Sequence, residues 1–271
     1  MSVHIPALLR KKADRAIEFL TLSKRYAPTL VAKRTLLACY AALLADVNDR
    51  SEVSLDLSLG GSQHALQMRK SDIFTLAEIL RERQYQLVSS VPDHPVIIDG
   101  GAHIGIASLF FASAYPGAQL HCFEPENSNF QLLRQNLRTV PGIQLNAAAL
   151  GFESGTRPLH VSRIAAMHSL KSNGSGDHME DVQVVNLTDY MNQNDVRRID
   201  VLKLDVEGSE LDVLQGMNGR LRDVSVIVGE FHESMVDERE FYQYLESNGF
   251  HRTRRQASGE PDVHIFEVAR A

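Results

Sequence analysis

The sequence predicts an α/β fold built on a mostly parallel sheet. Three observations carry that reading. From Pro95 onward, short apolar runs alternate with helical segments. A glycine-bearing turn leaves the first of those runs at Asp99-Gly100-Gly101. The chain ends on two runs, Phe250 to Arg254 and Val263 to Val268, spaced to pair as an antiparallel hairpin. The 271 residues suit one sizeable domain with an extension, or two small domains. Hydrophobic residues make up 44%, which excludes disorder as the default state.

The elements follow in order. Residues 1–90 read as a helical N-terminal extension or cap, with apolar positions at helical spacing over Ala13 to Leu22 and Val31 to Val47. Val53 to Leu59 alternates as a short strand and Gly60-Gly61 ends it. Ser71 or Asp72 is placed to cap a helix running from Ile73 to about Arg83. Residues 91–271 form the second domain. Its strands are Val96 to Ile98, Leu120 to Phe123, a third within Ile143 to Leu150 that includes its exit, Val201 to Leu204 and Val224 to Val228. Its helices are Ile104 to Ala114, Asn127 to Leu137, Leu211 to Met217 and Glu238 to Ser247, the last closed by Asn248-Gly249. Between Leu159 and Asp189, a Ser/Asn/Gly-rich stretch reads as an irregular loop over the site.

Composition narrows the function classes. The formal charge is −6, there is no Trp, and no basic stripe is present, so a nucleic-acid partner is not expected. No run of about 18 apolar residues predicts a membrane span. Neither cysteine, Cys39 nor Cys122, sits in a metal-like pair, and the N-terminus does not read as a secretory signal. A reducing, cytoplasmic location is the expectation.

The most informative segment is the loop from Asp99, Gly100, Gly101, Ala102 and His103 to Gly105 and Ile106. A turn leaving the first strand of such a sheet lies at the carboxyl edge, where ligands bind. Glu124 follows the next strand, is fixed by Pro125, and can accept both ribose hydroxyls of an adenosine. A dinucleotide and S-adenosylmethionine share this geometry. Asp99 favours the second, because a carboxylate beside the turn repels a diphosphate and welcomes an ammonium and a sulfonium. The loop also carries Ala102 where a dinucleotide fingerprint prefers its second glycine. The structural alternative is that Asp99 caps the next helix and Gly105 merely permits packing. Ser128 is either a cofactor contact or a helix cap. Asn146, Ala147 and Ala148 leave the third strand where the adenine ring should lie.

The chain resembles the FkbM-type family of S-adenosylmethionine-dependent methyltransferases. The matching words are Val96 to Gly105, Phe123-Glu124-Pro125, Asn146 to Gly151 and, most specifically, Ile199-Asp200-Val201-Leu202-Lys203-Leu204-Asp205-Val206-Glu207-Gly208-Ser209-Glu210. Glu230-Phe231-His232 also fits, and Met68 to Asp72 with Tyr85 resembles the segment that precedes the domain in this family. The resemblance implies a class I methyltransferase (Rossmann-like) fold, a seven-stranded sheet with an antiparallel last hairpin. It implies methyl transfer from S-adenosyl-L-methionine, leaving S-adenosyl-L-homocysteine, to a hydroxyl of a sugar or a polyketide-type natural product.

Asp205, Glu207, Glu230 and His232 fall at or past the ends of the fourth and fifth strands and form the expected catalytic group. His232 is the first choice for general base, because imidazole titrates near the operating pH. Asp205 is expected to orient substrate or the cofactor's ammonium, and Glu230 to hold the His232 tautomer or bind substrate hydroxyls. For Glu207 the structural alternative is a carboxylate at a helix N-terminus. The same cluster is a donor set for Mg2+, but no tight ligand spacing demands a metal and none is expected. Lys203 reads as structural. Arg69, Ser71, Asp72, Tyr85, His168 and Ser169 are candidate substrate contacts, and the N-terminal helices are a candidate homodimer surface. The rival functions are a nicotinamide-dependent reductase or epimerase on a similar sheet, and a non-catalytic protein that kept the fold.

Overall fold

The computed structural model describes residues 7–43, 49–162, 169–170, 176–217, 219–258 and 262–270. The chain divides into two compact units, Met1–Gln84 and Tyr85–Ala271. No helix among the described residues is long and apolar enough to cross a membrane.

The first unit contains α1 (Ala7–Arg25), α2 (Leu30–Leu43), the hairpin β1 (Glu52–Leu59) and β2 (Ser62–Arg69), and α3 (Ile73–Leu80). It is therefore not purely helical. Leu55, Leu57 and Leu59 alternate onto one buried face of β1, as the period of two requires. Gly60 and Gly61 both take positive φ and close a two-residue turn, so Leu59 pairs with Ser62. Leu22, Leu36, Cys39, Leu66, Met68 and Leu76 complete this core. α3 stops at Leu80, short of the Arg83 expected. Asp72 does not cap it through its side chain; the buried carboxylate turns back to accept from Arg69 N at 2.8 Å.

The second unit runs through β3 (Val96–Gly100), α4 (Ile106–Ala114), β4 (Gln119–Phe123), α5 (Asn127–Leu137) and β5 (Ile143–Asn146). It continues with β6 (Ala149–Leu150), β7 (Gly155–Ser162), β8 (Gly176–Val185), α6 (Leu187–Gln193), β9 (Ile199–Leu204), α7 (Glu210–Gly216), β10 (Val224–His232), α8 (Glu238–Ser247), β11 (Phe250–Ala257) and β12 (Val263–Arg270). Seven strands form the main sheet in the order β11-β12-β10-β9-β3-β4-β5. β12 pairs antiparallel with both its neighbours, β10 and β11, and the remaining pairings are parallel. The expected fold class and antiparallel terminal hairpin are present.

β9 lies at the centre of the sheet with all six residues buried. Its two charged residues are each satisfied: Asp200 accepts from Val96 N at 2.8 Å and pins the start of β3, while Lys203 reaches the carboxyl edge. The apolar side chains around it, among them Ile98, Phe123, Leu202, Leu204, Ile227, Phe231, Phe241 and Phe266, form one continuous core.

β5 ends at Asn146, where the third strand was expected to exit, and Ala149–Leu150 pairs with β8 in a separate three-stranded sheet. One expectation is corrected here. The described residues between Leu159 and Asp189 are mostly regular structure rather than an irregular loop. β7 and β8 pair antiparallel from Gly155–Val184 onward, and α6 follows. Ser172 to Ser175 lie outside the described residues.

Candidate active site

The site is built on the carboxyl edge where β3, β4, β9 and β10 end side by side. β3 runs into a loop held by Gly101 N and Ala102 N, which donate to Phe123 O at 3.1 and 2.9 Å. Gly101 has φ +74, and a Cβ there would lie 1.8 Å from the Asp205 carbonyl oxygen. Its missing side chain therefore lets the chain's own β9 exit approach, rather than a ligand. Gly105 (φ +92) packs under Leu133 and Leu137 of α5 in the same way. Ala102 and Ile106 are buried with it, and His103 takes a left-handed φ of 52°.

Asp99 does not face the cleft. It is fully buried; Oδ1 lies 3.1 Å from Lys203 Nζ, and Oδ2 accepts from Ser108 Oγ at 2.6 Å. Lys203 Nζ also donates to Gly101 O at 2.6 Å and to Gly100 O at 3.2 Å, and lies 3.5 Å from Asp205 Oδ2. Burial opposes the lysine's charge, but Asp99 and Asp205 outweigh burial and raise its pKa. The expectation that Asp99 repels a diphosphate directly is thus corrected: its charge is neutralised by Lys203, and the pair anchors the loop.

Glu124 stands at the end of β4, almost fully buried. Its Oε2 accepts from His103 N at 2.9 Å and Oε1 from Glu126 N at 3.0 Å. Burial pushes its pKa up to about 7, against the lowering effect of those hydrogen bonds. The helix cap expected of Ser128 is supplied instead by Glu126, whose carboxylate accepts from Ser128 N, Ser128 Oγ and Asn129 N at 2.7–2.9 Å. Pro125 is half-buried between the two glutamates. Asn146 closes this side, donating from Nδ2 to Cys122 O at 3.1 Å and to Tyr190 Oη at 3.3 Å. Ala147 is exposed and Ala148 buried. Tyr190 of α6, packed edge-on to Phe123 at 4.8 Å, was not singled out in the sequence.

Past β9, Glu207 adopts φ 52° and Gly208 φ 90° before α7 begins. A left-handed non-glycine residue stores about 1–3 kcal/mol of strain, and such strain clusters at functional sites. His232, at the end of β10, is brought against this turn. Its Nδ1 donates to the fully buried Glu210 Oε1 at 3.0 Å, and Nε2 lies 3.3 Å from Glu207 Oε2 and 3.9 Å from Glu230 Oε2. Burial alone would lower the imidazole's pKa. The Glu210 hydrogen bond and the charges of Glu210, Glu207 and Asp205 outweigh it and raise the ring to about 10. His232 is therefore a cation at neutral pH, which corrects its expected titration near the operating pH. Asp205, Glu207 and His232 each present one ligand atom within 4.8 Å of the others. Glu210 was not singled out as a site residue. The signal was present as a carboxylate two residues beyond Gly208, where it also accepts from Gly208 N at 3.1 Å.

The remaining candidates have other places. Tyr85 is buried and donates from Oη to Asp205 Oδ2 at 2.9 Å, so it orients a site carboxylate. Ser169 is buried and donates from Oγ to Glu207 O at 2.6 Å, bracing the strained turn. Arg69 and Asp72 are buried in the first unit, with the guanidinium 3.7 Å from the carboxylate. Ser71 there donates its N–H to Asp49 O. His168 lies outside the described residues.

Residues 99–252 match the model of the methyltransferase FkbM domain. The chain is 30% identical over 234 residues to the 31-O-demethyl-FK506 methyltransferase FkbM of Streptomyces tacrolimicus, covering 72% of this chain and 88% of that protein. It is 28% identical over 162 residues to the hexuronic acid methyltransferase AglP of Haloferax volcanii, covering 59% of this chain and 64% of that one. Among solved structures it is similar to methyltransferase FkbM from Methylobacillus flagellatus KT, with a TM-score of 0.50 at 14% identity. That likeness covers 95% of this chain and spans 60% of the other, and at this identity it bears on the fold. With its glycine loop, Glu124 and the Lys203 to Glu210 turn all inside the matched segment, the chain belongs to the FkbM-type methyltransferase family.

Proposed function

We propose that the protein transfers a methyl group from S-adenosylmethionine to a hydroxyl of a small molecule, a sugar or a polyketide-type natural product. The observation that carries this reading is Glu124. Its carboxylate is fixed at the end of β4, beside the glycine loop: Oε1 accepts from Glu126 N and Asn129 Nδ2, and Oε2, which accepts from His103 N, keeps a second lone pair for a ribose hydroxyl. Asp205, Glu207 and Glu230 leave the neighbouring edge rich in carboxylates, which suits a sulfonium and an ammonium and opposes a diphosphate. The names of two relatives support the acceptor class, one a methyltransferase of 31-O-demethyl-FK506 and one of a hexuronic acid.

The sulfonium is already a good leaving group, so the protein aligns the acceptor oxygen with the methyl carbon and receives its proton. His232 enters as imidazolium and cannot take that proton. We assign proton acceptance to Glu230, on the same strand two residues earlier, while His232 holds Glu207 and is itself held by Glu210. Asp205, oriented by Tyr85 and Lys203, binds the acceptor or the donor's ammonium. The test is incubation with methyl-labelled S-adenosylmethionine and a panel of glycosides and macrocyclic alcohols. A labelled product heavier by one methyl supports the reading; a protein that binds no S-adenosylhomocysteine and labels nothing overturns it.

A further inference from the structure

We propose that Asp205, Glu207 and His232 form a divalent-cation site that presents the acceptor hydroxyl for methylation. The inference rests on the methyltransferase reading for its chemistry, but the site stands on its own geometry. His232 Nε2 lies 3.3 Å from Glu207 Oε2, close to the roughly 3 Å edge between adjacent ligands that sit about 2.1 Å from an ion. All three ligand atoms fall within 4.8 Å, against about 4.2 Å for ligands on opposite sides of such an ion. A small inward movement of one side chain closes the set.

The imidazole is already prepared as a ligand. Glu210 Oε1 accepts a hydrogen bond from Nδ1 at 3.0 Å, which fixes the ring orientation and turns Nε2 toward Glu207. A carboxylate behind a histidine in this way raises the basicity of the ligating nitrogen. A separate observation shows that this corner is short of positive charge. Glu210 is fully buried, and its second oxygen, Oε2, has no hydrogen-bond partner. A buried carboxylate with one bare oxygen, set directly behind the cluster, is costly without more positive charge nearby.

Two carboxylate oxygens and one imidazole nitrogen suit a first-row divalent ion such as Mn2+ better than Ca2+, which takes oxygen ligands. Three protein ligands leave coordination positions open for water or an acceptor oxygen. On binding, the Nε2 proton leaves to solvent and the nitrogen lone pair goes to the ion. The acceptor hydroxyl, bound at an open position, becomes more acidic. Its proton passes to Glu230 as the O–CH3 bond forms. The S–CH3 bond breaks with its electron pair left on sulfur, giving S-adenosylhomocysteine.

The test is an electron paramagnetic resonance titration of the chelator-treated full chain with MnCl2, beside calorimetry with S-adenosylhomocysteine. The expected result is one saturable Mn2+ site per chain, weakened by ~10-fold or more in Glu207→Gln and in Glu210→Gln. The exposed carboxylate of Glu153 serves as control, and Glu153→Gln should bind as the parent does. Circular dichroism checks that the variants fold. Absence of saturable Mn2+ binding by the unaltered chain up to millimolar ion overturns the proposal without reference to any variant. So does Mn2+ binding that is indifferent to both Glu207→Gln and Asp205→Asn in folded protein. A chain that binds S-adenosylhomocysteine but no Mn2+ loses the ion site and keeps the methyltransferase reading. A chain that binds Mn2+ at this cluster but no S-adenosylhomocysteine keeps the ion site and loses that reading.

Discussion

Lys203 Nζ and Asp99 Oδ1 meet at 3.1 Å between two adjacent parallel strands, both side chains buried, directly beneath the loop that leaves β3. The lysine also donates to the carbonyls of Gly100 and Gly101, so one ammonium holds the loop's backbone and neutralises its buried carboxylate. Lys203→Met removes the charge and leaves Asp99 uncompensated. The expected cost is about 3–5 kcal/mol of folding stability. Asp99→Asn in the Lys203→Met background should recover part of it. Urea unfolding of the parent, both single variants and the double variant measures this, and a Lys203→Met loss below about 1 kcal/mol would show that the pair is not the anchor described.

Gly101 and Gly61 both have left-handed backbones, but only Gly101 lies against other atoms. A Cβ at Gly101 meets Asp205 O at 1.8 Å, whereas one at Gly61 meets nothing within 4 Å. Gly61→Ala should therefore cost only the conformational term, about 1–2 kcal/mol. Gly101→Ala must also push β9's exit away from β3, and should cost on the order of 4 kcal/mol or more, or prevent folding. Similar unfolding midpoints for the two variants would contradict the close approach.

Glu124 gives a pH dependence with a definite sign. Its folded pKa of about 7 stands above the ordinary 4.5, and burial is the main cause. The folded state therefore favours the protonated form. That stability contribution is full below pH 4.5 and is lost as the pH rises through about 7. Glu124→Gln, which stays neutral, should gain stability relative to the parent at pH 8 but not at pH 4. Cofactor binding runs the other way, because a ribose hydroxyl donates more strongly to an ionised acceptor than to a protonated one. S-adenosylhomocysteine affinity should strengthen from pH 6 to pH 8 in the parent and stay flat, and weaker, in Glu124→Gln. Calorimetry at several pH values reads both; a parent whose affinity does not change across that range would remove Glu124 from the ribose.

Glu230→Gln separates proton acceptance from binding. It keeps the side chain's shape on β10 and removes its basicity. The expected result is a fall in kcat of ~10²-fold with S-adenosylhomocysteine affinity unchanged. Steady-state kinetics beside calorimetry measures it, and an unchanged kcat would move the proton to another group.

Most of the main sheet is legible in the sequence because its strands are buried on both faces and read as short apolar runs cut by glycine or proline. Val96 to Ile98, Leu120 to Phe123 and Val201 to Leu204 are such runs. The elements that were not read are half-exposed and polar. β2 carries Gln63, His64 and Gln67 among its apolar residues, and β7 and β8 carry Arg157, Glu180 and Asp181. Their pairing comes from the partner strand rather than from their own pattern. At the site, residue types were legible and their charge states were not. Nothing local to Asp99 says that it is fully buried against a lysine more than a hundred positions away. Glu207 and Glu230 were legible as neighbours of His232, but nothing local shows how closely they approach its ring. Glu210 was hidden for the same reason, because its role follows from the meeting of α7's first turn with the end of β10.

The most direct measurement of the central claim is a titration of the purified chain with S-adenosylhomocysteine and, in parallel, with NADH. The expected outcome is saturable binding of one S-adenosylhomocysteine per chain, weakened by about 1–3 kcal/mol in Glu124→Ala, with no response to NADH. Tight NADH binding by a chain that ignores S-adenosylhomocysteine would contradict the account.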